Sequence, residues 1–239
     1  MIWYLCMILM VTTQVTWAQD YFNDSYRDEL HKLSKKNHRP MESYRNARKS
    51  ILQQLHLKKD NRGYFVKDVY CEKNFRKNVG PHTMPNHSEL NIEHTWPQSR
   101  FSSRFPRNVQ KVDLHHLFPS DSRSNSSRGN FHFSQFGSGG RSVFDGCETS
   151  KMGKINETGA DGFEPPREHK GNVARALFYF AIRYHIRIPE YEEFFLRQWH
   201  LIDPVDSSEE LRNDEIEAIQ GNRNPFIDEP ELIDLINDF

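Results

Sequence analysis

The sequence predicts a single α+β domain. Its 239 residues can bury one sizeable core, and a composition of 36% hydrophobic and 27% charged residues suits a globular chain. The C-terminal third carries apolar residues at helical spacing, whereas residues 90–95 alternate polar and apolar side chains as a strand does. Because no repeat or linker divides the chain, we expect mostly helices and a few short strands to share one core.

The N-terminus predicts a secretory signal peptide. Residues 1–18, MIWYLCMILMVTTQVTWA, are apolar and uncharged, and they end in a small residue suited to cleavage. They lack a basic n-region, but a membrane anchor, the alternative, would need about 20 apolar residues to cross a bilayer. We therefore expect a secreted or periplasmic mature domain, residues 19–239, that is monomeric and free of the membrane.

Two cysteines would remain after cleavage, Cys71 and Cys147. A pair in an exported chain suggests one disulfide, which would close a long loop and stabilise the fold by about 3–5 kcal/mol. Two buried free thiols are the alternative reading, because the sequence does not supply the geometry.

In the N-terminal half, two helices precede the first strand. Residues 26–36 and 43–57 show helical spacing, and Ser43 is of a residue type that caps helices. Residues 64–70 are rich in strand formers, whereas 80–87 contain two prolines and predict a loop.

The middle of the chain predicts a second strand after a polar connection. Residues 101–110 form the connection, and 112–118 predict an extended segment. Residues 119–128 predict a loop or a short helix, for which Ser120 would be the cap and Gly129 the stop.

The last third predicts helices. Apolar stripes within 173–184 and 191–202 predict core-facing helices, and residues 207–220 predict another that ends at Gly221. A glycine-rich turn at 137–140 separates this region from the middle of the chain.

Charge is unevenly distributed along the chain. From residue 189 to the end, fifteen acidic residues stand against three arginines, a balance of −12, so the remainder carries +11 within the overall net charge of −1. This asymmetry permits a basic working face with an acidic segment elsewhere. Solvated helix faces explain the acidic end equally well.

Chemistry-bearing residues concentrate in two central clusters, Glu93-His94 and the stretch from Asp113 to Asn130. A neutral histidine can take a proton from water, and carboxylate and carboxamide oxygens are ligands that Mg²⁺ prefers. If folding brings Glu93, His94 and Asn125 into one cleft, the set suits metal-assisted phosphodiester hydrolysis. A lone Glu-His pair, however, is more often structural.

Several blocks resemble one known family. Three blocks that follow one another between residues 91 and 226 resemble the endonuclease I family of secreted and periplasmic nucleases. They are NIEHTWPQS, KVDLHHLFPSDSRSNSSRGNF and IQGNRNPF. FDGCE and EPPREHKGNVARALFY are also similar to that family. The resemblance implies a ββα-metal core within the α+β domain.

The resemblance also implies roles for single residues. His94 matches the general base, Glu93 matches a metal ligand, and Asn125 matches the second protein ligand, with Mg²⁺ as the expected ion and Mn²⁺ or Ca²⁺ as alternatives. Arg128 and Asn130 fall in the family's Arg-x-Asn-Phe segment, where we expect substrate contact or support of the helix.

The sequence departs from some relatives at Lys111, where they carry a glutamate; Lys111 is then a candidate phosphate contact. Some relatives place a helpful arginine between the two blocks, and Arg100 is our candidate, with Arg104 and Arg107 as alternatives. His115-His116 lacks an accompanying zinc motif, so we predict packing or supporting roles for this pair.

Together these features predict a secreted, metal-dependent, sequence-nonspecific endonuclease. It would bind DNA, and RNA as a further substrate, through phosphate contacts and leave 5′-phosphate ends. The alternatives are an extracellular ribonuclease of the same family and a noncatalytic nucleic-acid-binding protein on a nuclease scaffold.

Overall fold

The computed structural model describes residues 25–239, so the predicted signal peptide lies outside the described residues. Helical residues outnumber strand residues there, and the sheets are small, which confirms an α+β fold. Among helices in this range, none has both the length and the apolar character needed to cross a membrane.

The described residues form a set of α-helices and three short sheets. The first helix, α1, covers residues 25–35. The other α-helices are α2 (Tyr44–Ser50), α3 (Arg107–Lys111), α4 (Ser122–Arg128), α5 (Lys170–Tyr184), α6 (Glu190–Ile202), α7 (Ser207–Gln220) and α8 (Pro225–Asp228).

The strands fall into one three-stranded, one two-stranded and one four-stranded sheet, with orders β1-β2-β3, β4-β5 and β6-β9-β8-β7. Their bounds are β1 Leu57–Asp60, β2 Gly63–Lys67, β3 Asn74–Phe75, β4 Leu90–His94, β5 Leu117–Asp121, β6 His132–Phe133, β7 Arg141–Phe144, β8 Cys147–Lys154 and β9 Asp161–Glu164. The sequence did not predict the four-stranded sheet.

Two apolar clusters hold the elements together. The larger one centres on α5, nearly all of whose side chains are buried, and α5 packs along α6. The smaller one joins α2 to the β4-β5 pair through Ala47, Ile51, Leu90, Ile92 and Leu117. Fully burying an aliphatic side chain contributes about 1.5–3 kcal/mol, so this second cluster fixes the sheet that carries the predicted site against α2.

The helix predicted over residues 43–57 is shorter than expected. Ser43 caps it as predicted, accepting from the backbone N–H of Asn46 at 3.2 Å. The helix widens into a π-helical turn over Ile51–Leu55, and the chain then enters β1, which pairs with β2 and was not predicted. The predicted strand 64–70 ends at Lys67, because the Asp68 carboxylate accepts from backbone N–H groups and turns the chain.

The predicted extended segment 112–118 is wrong over most of its length. Leu114–His116 forms a 3₁₀ turn, because the Asp113 side chain accepts from the backbone N–H of His115 at 3.1 Å. The strand begins only at Leu117. Within the predicted connection 101–110, the chain already forms the start of α3.

The short helix predicted within 119–128 is present as α4, and its cap is Asp121 instead of Ser120. Because β5 continues through Pro119 and Ser120, the helix begins only after Asp121. The Asp121 side chain accepts from the backbone N–H groups of Arg123 and Ser124. Gly129 ends α4 as predicted, with a positive φ of 56°.

The disulfide between Cys71 and Cys147 is present, with a Cα–Cα distance of 4.5 Å and a sequence separation of 76. It ties the turn after β2 to the first residue of β8. The predicted pairing is therefore confirmed, and it joins two of the three sheets.

Candidate active site

The candidate site consists of two paired strands, β4 and β5, and the helix α4 that contacts them. β4 and β5 are antiparallel, with Glu93 opposite Phe118 and His94 opposite Leu117. The helix α4 starts directly after β5. From α4, the Asn125 side chain donates through Nδ2 to the carbonyl of Ile92 at 3.0 Å, so the helix is attached to the middle of β4.

Glu93 is a buried carboxylate, only 1% exposed. Its Oε1 accepts from the Tyr70 hydroxyl at 2.9 Å and lies 3.1 Å from the Arg128 guanidinium. Burial raises the pKa of Glu93, while Arg128 and Tyr70 oppose that shift by stabilising the charged form. Both contacts fall on Oε1, so the described residues leave Oε2 available.

Arg128 lies beneath the site. Its side chain is 1% exposed, stacks on the Phe133 ring at 4.6 Å, and donates to the carbonyls of Thr95 at 2.7 Å and His94 at 3.3 Å. These contacts join the end of α4 to the end of β4 and place a positive charge beside Glu93. Support of the helix, one of the two expected roles, fits this geometry, and substrate contact by Arg128 stays a prediction.

Asn125 and Glu93 offer two hard oxygen atoms. Because the Nδ2 of Asn125 is used by Ile92, the Oδ1 of its carboxamide is the free end. Across residues 25–239, no group of three or more His, Cys, Asp or Glu side chains could hold a metal ion. The donor set of Glu93 and Asn125 nevertheless fits Mg²⁺, which keeps several waters and commonly takes only one or two protein ligands.

His94 has a defined tautomer. Its Nε2 lies 3.1 Å from the carbonyl oxygen of Lys111, and because a carbonyl can only accept, Nε2 carries the proton. Nδ1 therefore bears the lone pair. Burial, followed by the neighbouring His116, lowers the pKa of His94 to about 3, so the ring is neutral at neutral pH.

Two tyrosines next to the site were not predicted from the sequence. Tyr70 binds Glu93, and the Tyr44 ring stacks on His94 with a centroid distance of 5.6 Å. The Lys111 ammonium lies 4.8 Å from the centre of the Tyr44 ring. Helical spacing to Ala47 could have placed Tyr44 on the inner face of α2, but no sequence pattern indicates that this face meets His94.

The pair His115-His116 is buried and neutral. Its two Nε2 atoms donate to the carbonyls of Asn222 at 3.1 Å and Gln110 at 2.8 Å, and burial lowers both pKa values to about 4. Asp113, the residue before this turn, accepts from two tyrosine hydroxyls of α5 at 2.9 and 2.7 Å. The packing role predicted for the pair agrees with these contacts.

Of the remaining predicted substrate residues, Arg100 follows β4, Asn130 follows α4, and Lys111 is the last residue of α3. Arg100 is mostly buried, 3.4 Å from Glu192 and over the Trp96 ring. Asn130 is exposed and donates to the Ser99 hydroxyl at 3.4 Å. Contact of Arg100, Lys111 and Asn130 with substrate stays a prediction, as does the choice of Arg100 over Arg104 and Arg107.

Comparison with known proteins gives one family. The sequence profile described as Endonuclease I matches residues 23–231, which extends the similarity well before the motifs that carry it. The chain is 37% identical to an extracellular ribonuclease of Bacillus subtilis (strain 168) over 172 residues, covering 63% of this chain and 55% of that protein.

Other similar proteins carry different names. The chain is 31% identical to an extracellular deoxyribonuclease of Aeromonas hydrophila over 122 residues, covering 51% of this chain and 50% of that protein. It is 28% identical to Endonuclease-1 of Buchnera aphidicola subsp. Baizongia pistaciae over 167 residues, covering 66% of each. The matched regions span about half of the ribonuclease and the deoxyribonuclease.

Proposed function

The chain belongs to the endonuclease I family, and from that premise we propose that it is an exported, metal-dependent endonuclease that hydrolyses phosphodiester bonds without sequence specificity. The observation that supports the proposal is that Glu93 and His94, consecutive residues at the end of β4, carry a carboxylate with a free oxygen and a neutral imidazole with a free lone pair, and that Asn125 is attached to the same strand at Ile92. These are the groups that water activation and cation binding require.

In this proposal, Glu93 and Asn125 hold a divalent cation through Oε2 and Oδ1. Mg²⁺ is the expected ion, with Mn²⁺ or Ca²⁺ as alternatives, because all three prefer oxygen ligands. When bound, the cation would stabilise negative charge that develops on the phosphate and on the leaving oxygen. Tyr70 and Arg128 hold the other oxygen of Glu93, which keeps the carboxylate in one orientation.

His94 is the proposed general base. The Lys111 carbonyl holds its Nε2–H, so Nδ1 is the atom that takes the proton from the attacking water. Tyr44 and His116 pack against the ring and limit its rotation. Attack by this water, with departure of the 3′ oxygen, leaves a 5′-phosphate.

The substrate is nucleic acid bound through phosphates. The relatives that match the chain include one named as a ribonuclease and others named as deoxyribonucleases, so we propose both DNA and RNA as substrates. Lys111, Arg100 and Asn130 are the proposed contacts, since phosphate recognition gives affinity without reading bases. Export from the cytoplasm fits relatives named as extracellular or periplasmic.

The test is cleavage by the purified mature chain of plasmid DNA and of RNA, each with Mg²⁺ and with EDTA. We expect cleavage only with the cation. The His94→Ala variant should lose turnover by at least about 100-fold, in the range assigned to general bases, while still binding DNA. His82→Ala, at an exposed loop residue, is the matched control and should cleave normally.

Full activity in His94→Ala would overturn the assignment of the base. Binding without cleavage by the unaltered chain, under every divalent cation tried, would instead favour the noncatalytic nucleic-acid-binding alternative.

A further inference from the structure

A cavity of about 290 Å³ lies beside the candidate active site and has no part in the proposed reaction. Its wall includes Phe118, the cross-strand partner of Glu93, and Val69, the residue before Tyr70. The Tyr70 ring, which binds Glu93, lies 6.1 Å from the ring of His169 in the same wall. Phe118 and the Tyr70 ring thus connect the wall of this cavity to Glu93.

The inner wall offers an unpaired hydrogen-bond acceptor. His169 is buried, and its Nε2 has no partner among the described residues. The ring forms a hydrogen bond with the Asn172 side chain, which must use Nδ1 because Nε2 is unpaired. Burial lowers the pKa of His169 to about 3. A neutral imidazole that donates through Nδ1 accepts through Nε2.

A second histidine offers the complementary donor. Arg212 donates through Nε to the Nε2 of His56 at 3.2 Å, so the proton of the neutral His56 ring is on Nδ1. Burial and the adjacent guanidinium hold the pKa of His56 well below its usual value, so the ring stays neutral. The cavity is thus lined by one imidazole acceptor and one imidazole donor.

The charged groups of the wall away from the mouth are hydrogen-bonded within the protein: Asp68 accepts from the backbone N–H groups of Tyr70 and Cys71, and Arg212 donates to backbone carbonyls. Lys67 and Glu72 form an ion pair at 2.7 Å, and Glu209 binds Arg175 at 2.6 Å. Exposed side chains at the mouth, where water solvates them, are Lys58, Glu168 and Asp206. With Phe118 as an apolar wall and the wall charges already hydrogen-bonded, the interior suits a neutral molecule that both donates and accepts hydrogen bonds.

We propose that this cavity binds an unpaired nucleobase. A base is planar and neutral, carries donors and acceptors on its edge, and is small enough for a cavity at the lower end of the usual range of ligand sites. Proteins that bind single strands hold unstacked bases in this way, against aromatic or imidazole rings. The proposal rests on the proposed function, and it names single-stranded or locally unpaired nucleic acid as the preferred substrate class.

The first test is binding of AMP, GMP, CMP and UMP to the full mature chain in EDTA, measured by calorimetry. His169→Phe keeps a ring and removes the acceptor, and Ser208→Trp fills the mouth from an exposed position on α7. We expect at least one nucleotide to bind the unaltered chain, and to bind each variant about tenfold more weakly, which corresponds to about 1.4 kcal/mol. His82→Phe is the matched control and should bind normally.

The second test maps the nucleotides beside each cut in a random single-stranded substrate. The unaltered chain should show a bias at one position, and Ser208→Trp should lose the bias while still cutting. If free nucleotides bind but the cuts show no nucleotide preference at any position, the cavity is a site for free nucleotides. That result would overturn its role as a subsite for a base of the substrate.

Equal affinities in all variants, or no binding up to about 10 mM, would overturn the cavity as a base site. Because the binding test needs no cleavage, an inactive chain that binds nucleotides contradicts only the proposed function. An active chain that binds none contradicts only the cavity.

Discussion

At the scale of single residues, the contacts of the buried Glu93 carboxylate bear on its proposed role as a metal ligand. Burial favours its neutral form, whereas a cation requires the charged form. Arg128 supplies a compensating charge and Tyr70 supplies a hydrogen bond, both to the same oxygen. Both contacts favour the charged form against the effect of burial and orient the carboxylate, and they leave Oε2 without a contact among the described residues.

The Tyr70 hydroxyl can be removed without changing the ring. Tyr70→Phe should lower the free energy of unfolding by about 1–3 kcal/mol, because a hydrogen bond to a buried charged group is lost. It should also weaken Mn²⁺ binding, followed by electron paramagnetic resonance, by about 10-fold or more, as loss of a group that orients a ligand does. Tyr64→Phe, at a half-exposed ring on β2, is the control. Unchanged Mn²⁺ affinity in Tyr70→Phe would refute this role.

Sequence patterns predicted Glu93, His94 and Asn125 as site residues and did not predict the side chains that contact them. Glu93, His94 and Asn125 stand in a motif with fixed spacing, which is visible in one dimension. Tyr70 and Tyr44 reach the site only after β2 and α2 fold against β4. Their roles depend on contacts between residues 23 and 50 positions apart, respectively, and no local pattern encodes such contacts.

At the scale of elements, the periodicity of the sequence predicted secondary structure correctly where it coincided with tertiary packing. The alternation in residues 90–95 became β4, because one face of that strand packs on α2. The segment 112–118 was misread because Asp113 turns the chain and is itself held by two tyrosines of α5, a distant helix. Because the Asp113 side chain caps a turn, the backbone is 3₁₀ where a strand was predicted.

The disulfide gives a prediction at this scale, since it connects the turn holding Tyr70 to β8. Removing it with Cys71→Ser/Cys147→Ser should lower the free energy of unfolding by about 2–5 kcal/mol, measured by urea denaturation. A reducing agent should destabilise the unaltered chain by a similar amount and leave the double variant unchanged, which serves as the control. Equal stability of both proteins under oxidising conditions would contradict a stabilising role.

At the scale of the whole molecule, buried neutral histidines make stability depend on pH. Burial lowers the pKa of His115 and His116 to about 4 and that of His169 to about 3, whereas an unfolded chain titrates them near 6.5. Between those values the unfolded chain binds more protons. Their stabilising contribution is therefore complete above about pH 6.5 and is lost as the pH falls toward 4.

Between pH 8 and pH 5.5 we expect the free energy of unfolding to fall by roughly 1.4 kcal/mol for each of His94, His115, His116 and His169, before any offset. Glu93 and Glu209 offset part of the loss, because burial raises their pKa values. Urea denaturation at a series of pH values measures the effect, and His169→Phe should reduce it by the contribution of one histidine, roughly 1.4 kcal/mol. A protein more stable at pH 5.5 than at pH 8 would be inconsistent with this account.

The uneven charge of the whole chain predicts salt-dependent binding. In EDTA, the His94→Ala protein should bind duplex DNA with an affinity that falls steeply with salt, by a slope of about 0.9 per phosphate contact. Lys111→Ala should lower that slope by about one, since it would remove one phosphate contact. Arg187→Ala, at an exposed position paired with Asp238, is the control. A slope that Lys111→Ala leaves unchanged would exclude this lysine as a phosphate contact.

The hydrogen bond from Asn125 to the carbonyl of Ile92 has a consequence for how this protein can be produced. Asn125-Ser126-Ser127 is an acceptor sequence for N-linked glycosylation, and the nitrogen that would receive the sugar is the one that binds β4. The folded chain therefore shields this nitrogen, whereas a newly made chain does not. In a eukaryotic secretory pathway, sugar transfer would compete with closure of α4 onto β4, and a chain that received the sugar first could not complete its site.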